Sequence, residues 1–253
     1  MGAAFNGREL AGQVALVTGG ARNIGRAIAF ELADAGATVA INTRASREDA
    51  DSAVARIRER GGVADAWLAD VSDAGAVKTM VDDVVARYGR LDILVLNASV
   101  RRDVRFVDMD FDEWRRVMAL TLDGSFHCIK AVLPAMRAAG GGSIVTLGGD
   151  SALSGAATKV HSSAAKCGLM GMTRALARDL AEYGVRVNCV SPGHINTTRP
   201  AHRAPRPDAF AHIPMKRYGE PDEIAAMVRF LCGPGGAYMT GQTLHINGGQ
   251  AMF

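Results

Sequence analysis

The chain has 253 residues, 48% of them hydrophobic and 22% charged, and a formal net charge of +3. These values are typical of a globular protein, and a charge this balanced gives no argument for binding to nucleic acid or membranes. No segment has the apolar length of a signal-peptide core or a membrane span, so we predict a cytoplasmic protein. The four cysteines lie far apart and the histidines lack metal-ligand spacing, which predicts buried free thiols and no metal site.

Short β-branched runs alternate with longer segments of helical periodicity along the chain. The predicted strands are Val14–Thr18, Thr38–Asn42, Val63–Leu68, Ile93–Asn97, Ser143–Leu147, Val185–Val190 and Thr243–Ile246. The predicted helices are Ile24–Ala35, Arg47–Arg60, Ala74–Tyr88, Phe111–Ala138, Ala164–Glu182 and Asp222–Leu231. Several strands are apolar throughout, as expected where helices cover both faces of a sheet. We therefore predict one α/β domain over residues 1–253, a Rossmann fold with a doubly wound, parallel, seven-stranded sheet.

A glycine-rich turn follows the first predicted strand and leads directly into the first predicted helix. Its sequence is Thr18-Gly19-Gly20-Ala21-Arg22-Asn23-Ile24-Gly25. Gly19 permits a tight turn, and Gly25 lets the helix pack closely against the sheet. The amides at the start of that helix would then face a pyrophosphate, with the positive end of the helix dipole behind them. The turn and its flanking elements together predict a dinucleotide-binding site.

The second predicted strand ends at Asn42-Thr43-Arg44 without an acidic residue. A carboxylate at this place would accept hydrogen bonds from the ribose 2′-hydroxyl of NAD. Arg44, together with Arg22 in the glycine-rich turn, would instead bind the 2′-phosphate of NADP. We therefore predict NADP(H) as the preferred cofactor over NAD(H); simple surface solvation is the alternative for either arginine alone.

These features resemble those of the short-chain dehydrogenases/reductases, and within them of the 3-oxoacyl-ACP-reductase-like members. The family's turn is Thr-Gly-x-x-x-Gly-x-Gly, and Asn23 stands at its middle glycine, where asparagine tolerates unusual backbone angles. Further similar segments in the same order are Asp70-Val71, Asn97-Ala98-Ser99, Pro192-Gly193 with Thr197, Thr240-Gly241-Gln242 and Asn247-Gly248-Gly249. Leu96 and Ser99 depart from the family's Asn-Asn-Ala-Gly segment. The likeness covers nearly the whole chain, from Gly12 to Gly249.

The resemblance implies a role for each matching position. Asp70 and Val71 would contact the adenine, and Thr197 after the Pro-Gly loop would hold the nicotinamide amide. The residues implied to bind the cofactor are Gly19, Arg22, Asn23, Ile24, Gly25, Arg44, Asp70, Val71, Asn97, Lys166, Pro192, Gly193 and Thr197.

The catalytic positions depart from the family pattern, in which a tyrosine four residues before a lysine exchanges a proton with the substrate oxygen. Lys166 matches the lysine, but Ser162 stands at the tyrosine position. Gly149 stands where the family has a serine, and Thr121 where it has an asparagine. A serine hydroxyl is far less acidic than a phenol, and loss of a positioned acid or base typically costs about 10²–10⁴ in rate. We therefore do not expect the family's usual proton path.

Several polar side chains lie near the missing groups in the sequence. The candidates for catalysis are Lys166, Ser162, His161, Ser151 and Asp150. His161 neighbours Ser162 on a helix, so its side chain should point about 100° away from the Lys166 face. Asp150 and Ser151 follow the fifth strand, at the sheet edge where ligands bind in this architecture. Packing or solvation of His161 and helix capping by Asp150 or Ser151 are the alternatives.

Residues 194–214 have no clear period and contain four prolines, which predicts a substrate lid inserted in the domain, with a disordered excursion as the alternative. Basic side chains are frequent in this segment and after the fourth strand. They are Arg101, Arg102, Arg105, His194, Arg199, His202, Arg203, Arg206 and His212. We expect both segments to flank one cleft, so they predict a small anionic substrate, with solvated loop charge as the alternative.

Three functions remain open. We favour an NADP(H)-dependent oxidoreductase acting on a carbonyl or hydroxyl group through a non-standard proton path, because its cofactor residues are intact. The second is a catalytically silent subunit or cofactor-binding partner, and the third is non-redox chemistry in the same pocket. The resemblance further implies a homo-oligomer, a dimer or tetramer formed through the two long helices, with a hetero-oligomer containing an active relative as the alternative.

Overall fold

The protein is described here from a computed structural model, which covers residues 7–100, 102–198 and 210–252. A single parallel sheet of seven strands runs through it, in the order β3-β2-β1-β4-β5-β6-β7. The strands are β1 Val14–Val17, β2 Thr38–Thr43, β3 Val63–Leu68, β4 Ile93–Leu96, β5 Gly142–Leu147, β6 Val185–Pro192 and β7 Thr243–Ile246. The predicted doubly wound Rossmann fold is confirmed, and each predicted strand lies within two residues of an observed one.

Helices connect the strands and cover the sheet. They are α1 Asn23–Asp34, α2 Arg47–Glu59, α3 Ala74–Tyr88, α4 Phe111–Met118, α5 Gly124–Ala138, α6 Ser151–Ser154, α7 Val160–Asp179 and α8 Pro221–Cys232. Side chains of successive strand residues point to opposite faces, so the apolar strand β1 contributes to two cores. Ala15 and Val17 join the core beneath α1 and α8, whereas Val14 and Leu16 join the core beneath α3 and α5.

The long predicted helix Phe111–Ala138 is interrupted, which corrects the expectation of one continuous element. Residues Ala119–Asp123 form a π-helical segment between α4 and α5. The hydroxyl of Ser125 donates to the carbonyl oxygen of Thr121 at 2.7 Å. This carbonyl group therefore has a hydrogen bond where the backbone pattern changes between the α-helix and the π-helical segment. The helical periodicity is nearly the same on both sides of such a bulge, which is why the sequence pattern did not reveal it.

The helix that carries Lys166 begins four residues earlier than predicted, at Val160 instead of Ala164. Its first turn contains Val160, His161 and Ser162, so all three have helical side-chain directions. The β-branched and polar residues of this turn obscured the apolar periodicity. The earlier start places His161 and Ser162 on different sides of the helix.

The cysteines are all free thiols, but their environments differ. Cys128, Cys189 and Cys232 are buried, whereas Cys167 is exposed on α7, which corrects the expectation that all four are buried. Burial raises the pKa of the Cys128 and Cys232 thiols to about 12. Within the described residues, no helix is long and apolar enough to cross a membrane.

We expect alkylation of the native protein at pH 8 to label Cys167 and to spare Cys128 and Cys232. Burial excludes the reagent, and the raised pKa leaves almost no thiolate, which is the reactive form. Mass spectrometry after iodoacetamide treatment, with and without denaturant, measures this. A Cys167→Ser variant serves as the control, and labelling of Cys128 or Cys232 under native conditions would contradict the described core.

Candidate cofactor and substrate site

The glycine-rich turn between β1 and α1 has the backbone shape that its sequence predicts. Gly19 has a φ of +61° and Asn23 a φ of +48°, so asparagine adopts the left-handed conformation in place of a glycine. A Cβ atom on Gly25 would lie 2.2 Å from the carbonyl oxygen of Gly19. Only glycine at position 25 therefore allows α1 to approach the turn this closely.

The N-terminus of α1 is open to a ligand. Arg22 occupies the N-cap position without a side-chain hydrogen bond to the helix, and the first turn contains no acidic residue. The first amides of an uncapped helix have no partner within the helix and carry a partial positive charge. These features fit the pyrophosphate of a dinucleotide.

Hydrogen bonds from β4 hold the turn in place. The hydroxyl of Thr18 accepts from the backbone amides of Asn97 and Ala98 at 3.0 and 3.1 Å. The side-chain amide of Asn97 donates to the carbonyl oxygens of Thr18 and Gly19. Asn97 lines the predicted site, and its side chain supports the backbone on which the cofactor would lie.

Both arginines predicted to bind a 2′-phosphate line the cleft, Arg22 from the N-cap of α1 and Arg44 from the end of β2, but each has an acidic neighbour. Arg22 forms an ion pair with Asp49, and Arg44 Nη1 lies 3.9 Å from Asp70 Oδ2. Burial raises the pKa of Asp70, but hydrogen bonds from Ser72 and the charge of Arg44 outweigh it, so the pKa lies below its usual value. The pairs are exposed, and surface ion pairs are weak enough for a phosphate to compete with.

A cleft of about 1240 Å³ extends from this turn along the carboxyl ends of the strands. All thirteen predicted cofactor residues line it, and so do Ser162, Ser151, Asp150 and Arg102. Parallel strands that end at one edge bring together residues from distant parts of the chain. The predicted cofactor and catalytic positions therefore share one cleft, with the exception of His161.

The catalytic end of the cleft is spacious at the two positions where the family has larger side chains. Lys166 and Ser162 lie four residues apart on α7 and both line the cleft, and Lys166 Nζ donates to the carbonyl oxygen of Leu147. A Cβ atom on Gly149 would have no heavy atom within 4 Å. Thr121 is buried in the π-helical segment and does not line the cleft.

Asp150 is a buried carboxyl group in the cleft wall, next to Gly149. Its Oδ1 lies 3.4 Å from His245 Nδ1, and its buried Oδ2 has no hydrogen-bond partner among the described residues. A Cβ atom on Gly193 would lie 3.2 Å from Oδ2, so this oxygen faces the Pro-Gly loop. Asp150 precedes the short helix α6 without making a side-chain capping bond, so helix capping does not account for it.

His161 lies outside the cleft, as its place on the helix predicted. It is fully buried, its Nδ1 accepts from the backbone amide of Ser162 at 2.8 Å, and its Nε2 lies 3.5 Å from Glu113 Oε1. Its side chain therefore faces α4, and packing accounts for it better than catalysis. Ser151 lines the cleft, and its carbonyl oxygen accepts from the hydroxyl of Ser163.

The predicted lid is described at its two ends. The backbone amide of Thr198 donates to Asn23 Oδ1 at 2.9 Å, which ties the segment after β6 to the glycine-rich turn. His194 stacks on Tyr218, and its Nδ1 lies 2.6 Å from Gln250 Oε1. His212 packs edge-on against His194. Arg101, Arg199, His202, Arg203 and Arg206 lie outside the described residues.

Three residues in or directly behind the cleft wall were not found from the sequence. Arg116 lines the cleft from α4, Glu113 lies behind it, and His245 reaches Asp150 from β7. Each belongs to an ordinary helix or strand, and nothing in its spacing marks it. Arg105, by contrast, was predicted at the rim but is exposed and does not line the cleft.

Comparison with known proteins agrees with this geometry. The family described as enoyl-(acyl carrier protein) reductase matches residues 19–251. A 3-oxoacyl-[acyl-carrier-protein] reductase from Synechocystis is 40% identical over 96% of the chain and 99% of the relative. The corresponding reductase from Thermotoga maritima is 37% identical over 95% and 98%.

Solved structures are similarly close. A blue fluorescent protein from a metagenomic library, in complex with NADPH, superposes with a TM-score of 0.90 at 35% identity, covering 96% of this chain and 100% of that one. A short-chain dehydrogenase/reductase of the glucose/ribitol dehydrogenase type from Brucella melitensis gives a TM-score of 0.89 at 35% identity, over 97% and 99%.

We expect Gly25→Ala to weaken NADPH binding at least tenfold or to destabilise the protein by about 1–3 kcal/mol, because the new methyl group would overlap the Gly19 carbonyl oxygen. Nicotinamide fluorescence and thermal unfolding measure the two effects. Gly171→Ala on α7 is the matched control, since a Cβ atom there has no neighbour within 4 Å. Unchanged binding and stability in Gly25→Ala would contradict the described turn.

Proposed function

The chain belongs to the short-chain dehydrogenase/reductase family, and on this premise we propose that it is an NADP(H)-dependent oxidoreductase of carbonyl or hydroxyl groups. The observation that carries the proposal is a cleft in which all the predicted cofactor residues meet Lys166. When bound, the cofactor would supply or accept the hydride. The 3-oxoacyl thioesters named for the relatives are the first substrates to screen.

The protein must then move a proton without the family's tyrosine. Ser162 is a poor substitute because its hydroxyl is much less acidic and its side chain shorter than that of tyrosine. Lys166 can still hold a sugar hydroxyl of the cofactor, but its ammonium group has no phenol to act upon. The cleft therefore needs another acid close to the Pro-Gly loop.

Asp150 is the side chain we assign to this role. Its Oδ2 has no partner within the described part of the chain and faces Gly193, on the loop expected to hold the nicotinamide. The carboxyl group of Asp150 would hold a proton on Oδ2 and pass it to the substrate oxygen, which leaves Asp150 as the carboxylate. His245, partly exposed and 3.4 Å from Oδ1, would return a proton from solvent.

A catalytically silent subunit is the second candidate. The observation that favours it is the absence of three expected groups, at Gly149, Ser162 and Thr121. A silent subunit would associate with an active relative through the long helices α5 and α7. Copurification with such a relative, and no turnover of any carbonyl compound, would support this candidate.

We expect Arg44→Gln to weaken NADPH binding about 10- to 100-fold and to leave NADH binding nearly unchanged, because only NADPH carries the 2′-phosphate. Fluorescence titration with both nucleotides measures the preference. Arg47→Gln is the matched control, since Arg47 is paired with Asp51 and does not line the cleft. Equal losses for both nucleotides would contradict a phosphate contact at Arg44.

We expect Asp150→Asn to lower kcat for carbonyl reduction about 10²- to 10⁴-fold without changing the Kd of NADPH, because the amide fills the same space but cannot donate the acidic proton. Steady-state kinetics at 340 nm with a substrate found by screening measure kcat. An unchanged kcat would exclude Asp150 as the donor.

A rescue experiment distinguishes the loss of a proton donor in Asp150→Asn from damage to the fold. Gly149→Ser with Ser162→Tyr, added to Asp150→Asn, should restore reduction, because the cleft has room at Gly149 and Lys166 lies one turn from position 162. A triple variant that stays inactive while the double variant on wild-type Asp150 is active would assign Asp150 a structural role.

A further inference from the structure

A buried carboxylate organises the substrate side of the cleft. Glu113 on α4 is 6% exposed and stands among three basic side chains. Arg102 Nε lies 2.5 Å from its Oε1, Arg116 Nη1 donates to its Oε2 at 3.0 Å, and His161 Nε2 lies 3.5 Å from Oε1. A buried carboxylate is stable only when paired, so this cluster has a defined geometry.

The contacts with Glu113 do not use all the N–H donors of the two arginines. Each guanidinium group has five N–H bonds, and the contact with Glu113 involves one nitrogen of each. Both arginines line the cleft, and about half of each side chain is exposed. One carboxylate cannot neutralise two guanidinium groups, so the pair carries a net positive charge. Within the part of the chain that the structure describes, neither guanidinium group makes a hydrogen bond outside the cluster.

The surrounding charge has the same sign. Among its described lining residues, the cleft has six cationic side chains and three carboxylates. Arg22 and Arg44 lie at the cofactor end, which leaves Arg102 and Arg116 with Lys159 and Lys166 at the other end. Apart from Glu113, the carboxylate paired with a cation at this end is Asp103, 3.9 Å from Lys159. A neutral substrate has no group that would compensate this charge.

We propose that Arg102 and Arg116, held in place by Glu113, bind the carboxylate of the substrate, which makes the substrate a small oxo or hydroxy acid. Fixed guanidinium groups are suited to planar carboxylates because they donate paired, charge-assisted hydrogen bonds. The inference rests on the proposed function for the identity of the reacting group, but the anion site itself requires only binding.

The cluster lies beside the position where the family has its tyrosine. His161 contacts Glu113 and directly precedes Ser162, the residue at that position. Lys159, which also lines the cleft, is the residue just before α7 and three residues before Ser162. We therefore take short 2-oxo and 3-oxo acids as the first candidates for the substrate.

Calorimetric titration of the full chain saturated with NADP⁺ tests the site without requiring turnover. The probes are acetoacetate and its neutral methyl ester, which have the same ketone and differ in the carboxylate. We expect acetoacetate to bind at least tenfold more tightly than the ester, and Arg116→Gln to abolish the difference. Arg115→Gln is the matched control, because Arg115 is the neighbouring residue on α4, exposed and outside the cleft.

The outcomes of the titration distinguish the carboxylate site from the proposed redox activity. Equal binding of acid and ester to the wild-type protein, or equal losses in the Arg116 and Arg115 variants, would overturn the carboxylate site. If Arg116→Gln fails to fold, Arg116→Lys keeps the charge and should retain part of the preference while losing the paired geometry. Tighter binding of inorganic phosphate than of acetoacetate at Arg116 would also overturn the assignment. Selective acetoacetate binding without turnover would confirm the anion site and contradict only the proposed redox activity.

Discussion

The approach of α1 to the end of β1 is the contact on which the rest of the site depends. It exists because Gly25 has no side chain where the carbonyl oxygen of Gly19 passes. The hydrogen bonds of Thr18 and Asn97 connect this turn to β4, so the two strands at the centre of the sheet hold it from both sides. The uncapped start of α1 therefore points at a fixed place in the cleft, and cofactor binding is prepared by the backbone before any side chain contributes.

The two ends of the cleft differ in how closely their residues match the family's motifs. The cofactor end departs from the pattern at the middle glycine and at Leu96 and Ser99, and Asn23 adopts the left-handed backbone in place of the glycine. Its side chain also accepts a hydrogen bond from Thr198, a contact that glycine could not make. At the other end, the small residues Gly149 and Ser162 line the cleft. Gly149 leaves open space in the cleft, and Asp150 and Arg116 also line it. On the proposed function, these residues would support a proton path different from the one usual in the family.

Much of the molecule could be predicted from local pattern. The apolar strands, the glycine-rich turn and the spacing of Lys166 from Ser162 depend on neighbouring residues, and all of them lie where the sequence placed them. The failures also have a local cause. A π-helical segment at Ala119–Asp123 leaves the periodicity almost unchanged, and the polar first turn of α7 carries little apolar signal. The exposure of Cys167 depends on which side of α7 it occupies, which composition does not reveal.

The sequence by itself determined the fold class and the places of the glycine-rich turn, Ser162 and Lys166, because each is encoded in residues close together in the chain. Only the tertiary structure decided which side chains from distant segments meet at the cleft. Asp150 meets His245 across 95 residues, and Thr198 meets Asn23 across 175. Glu113 likewise joins Arg102, Arg116 and His161 only where α4 packs beside α7. Contacts of this kind form because distant helices, strands and loops meet at one edge of the sheet. The spacing of residues along the chain does not predict them.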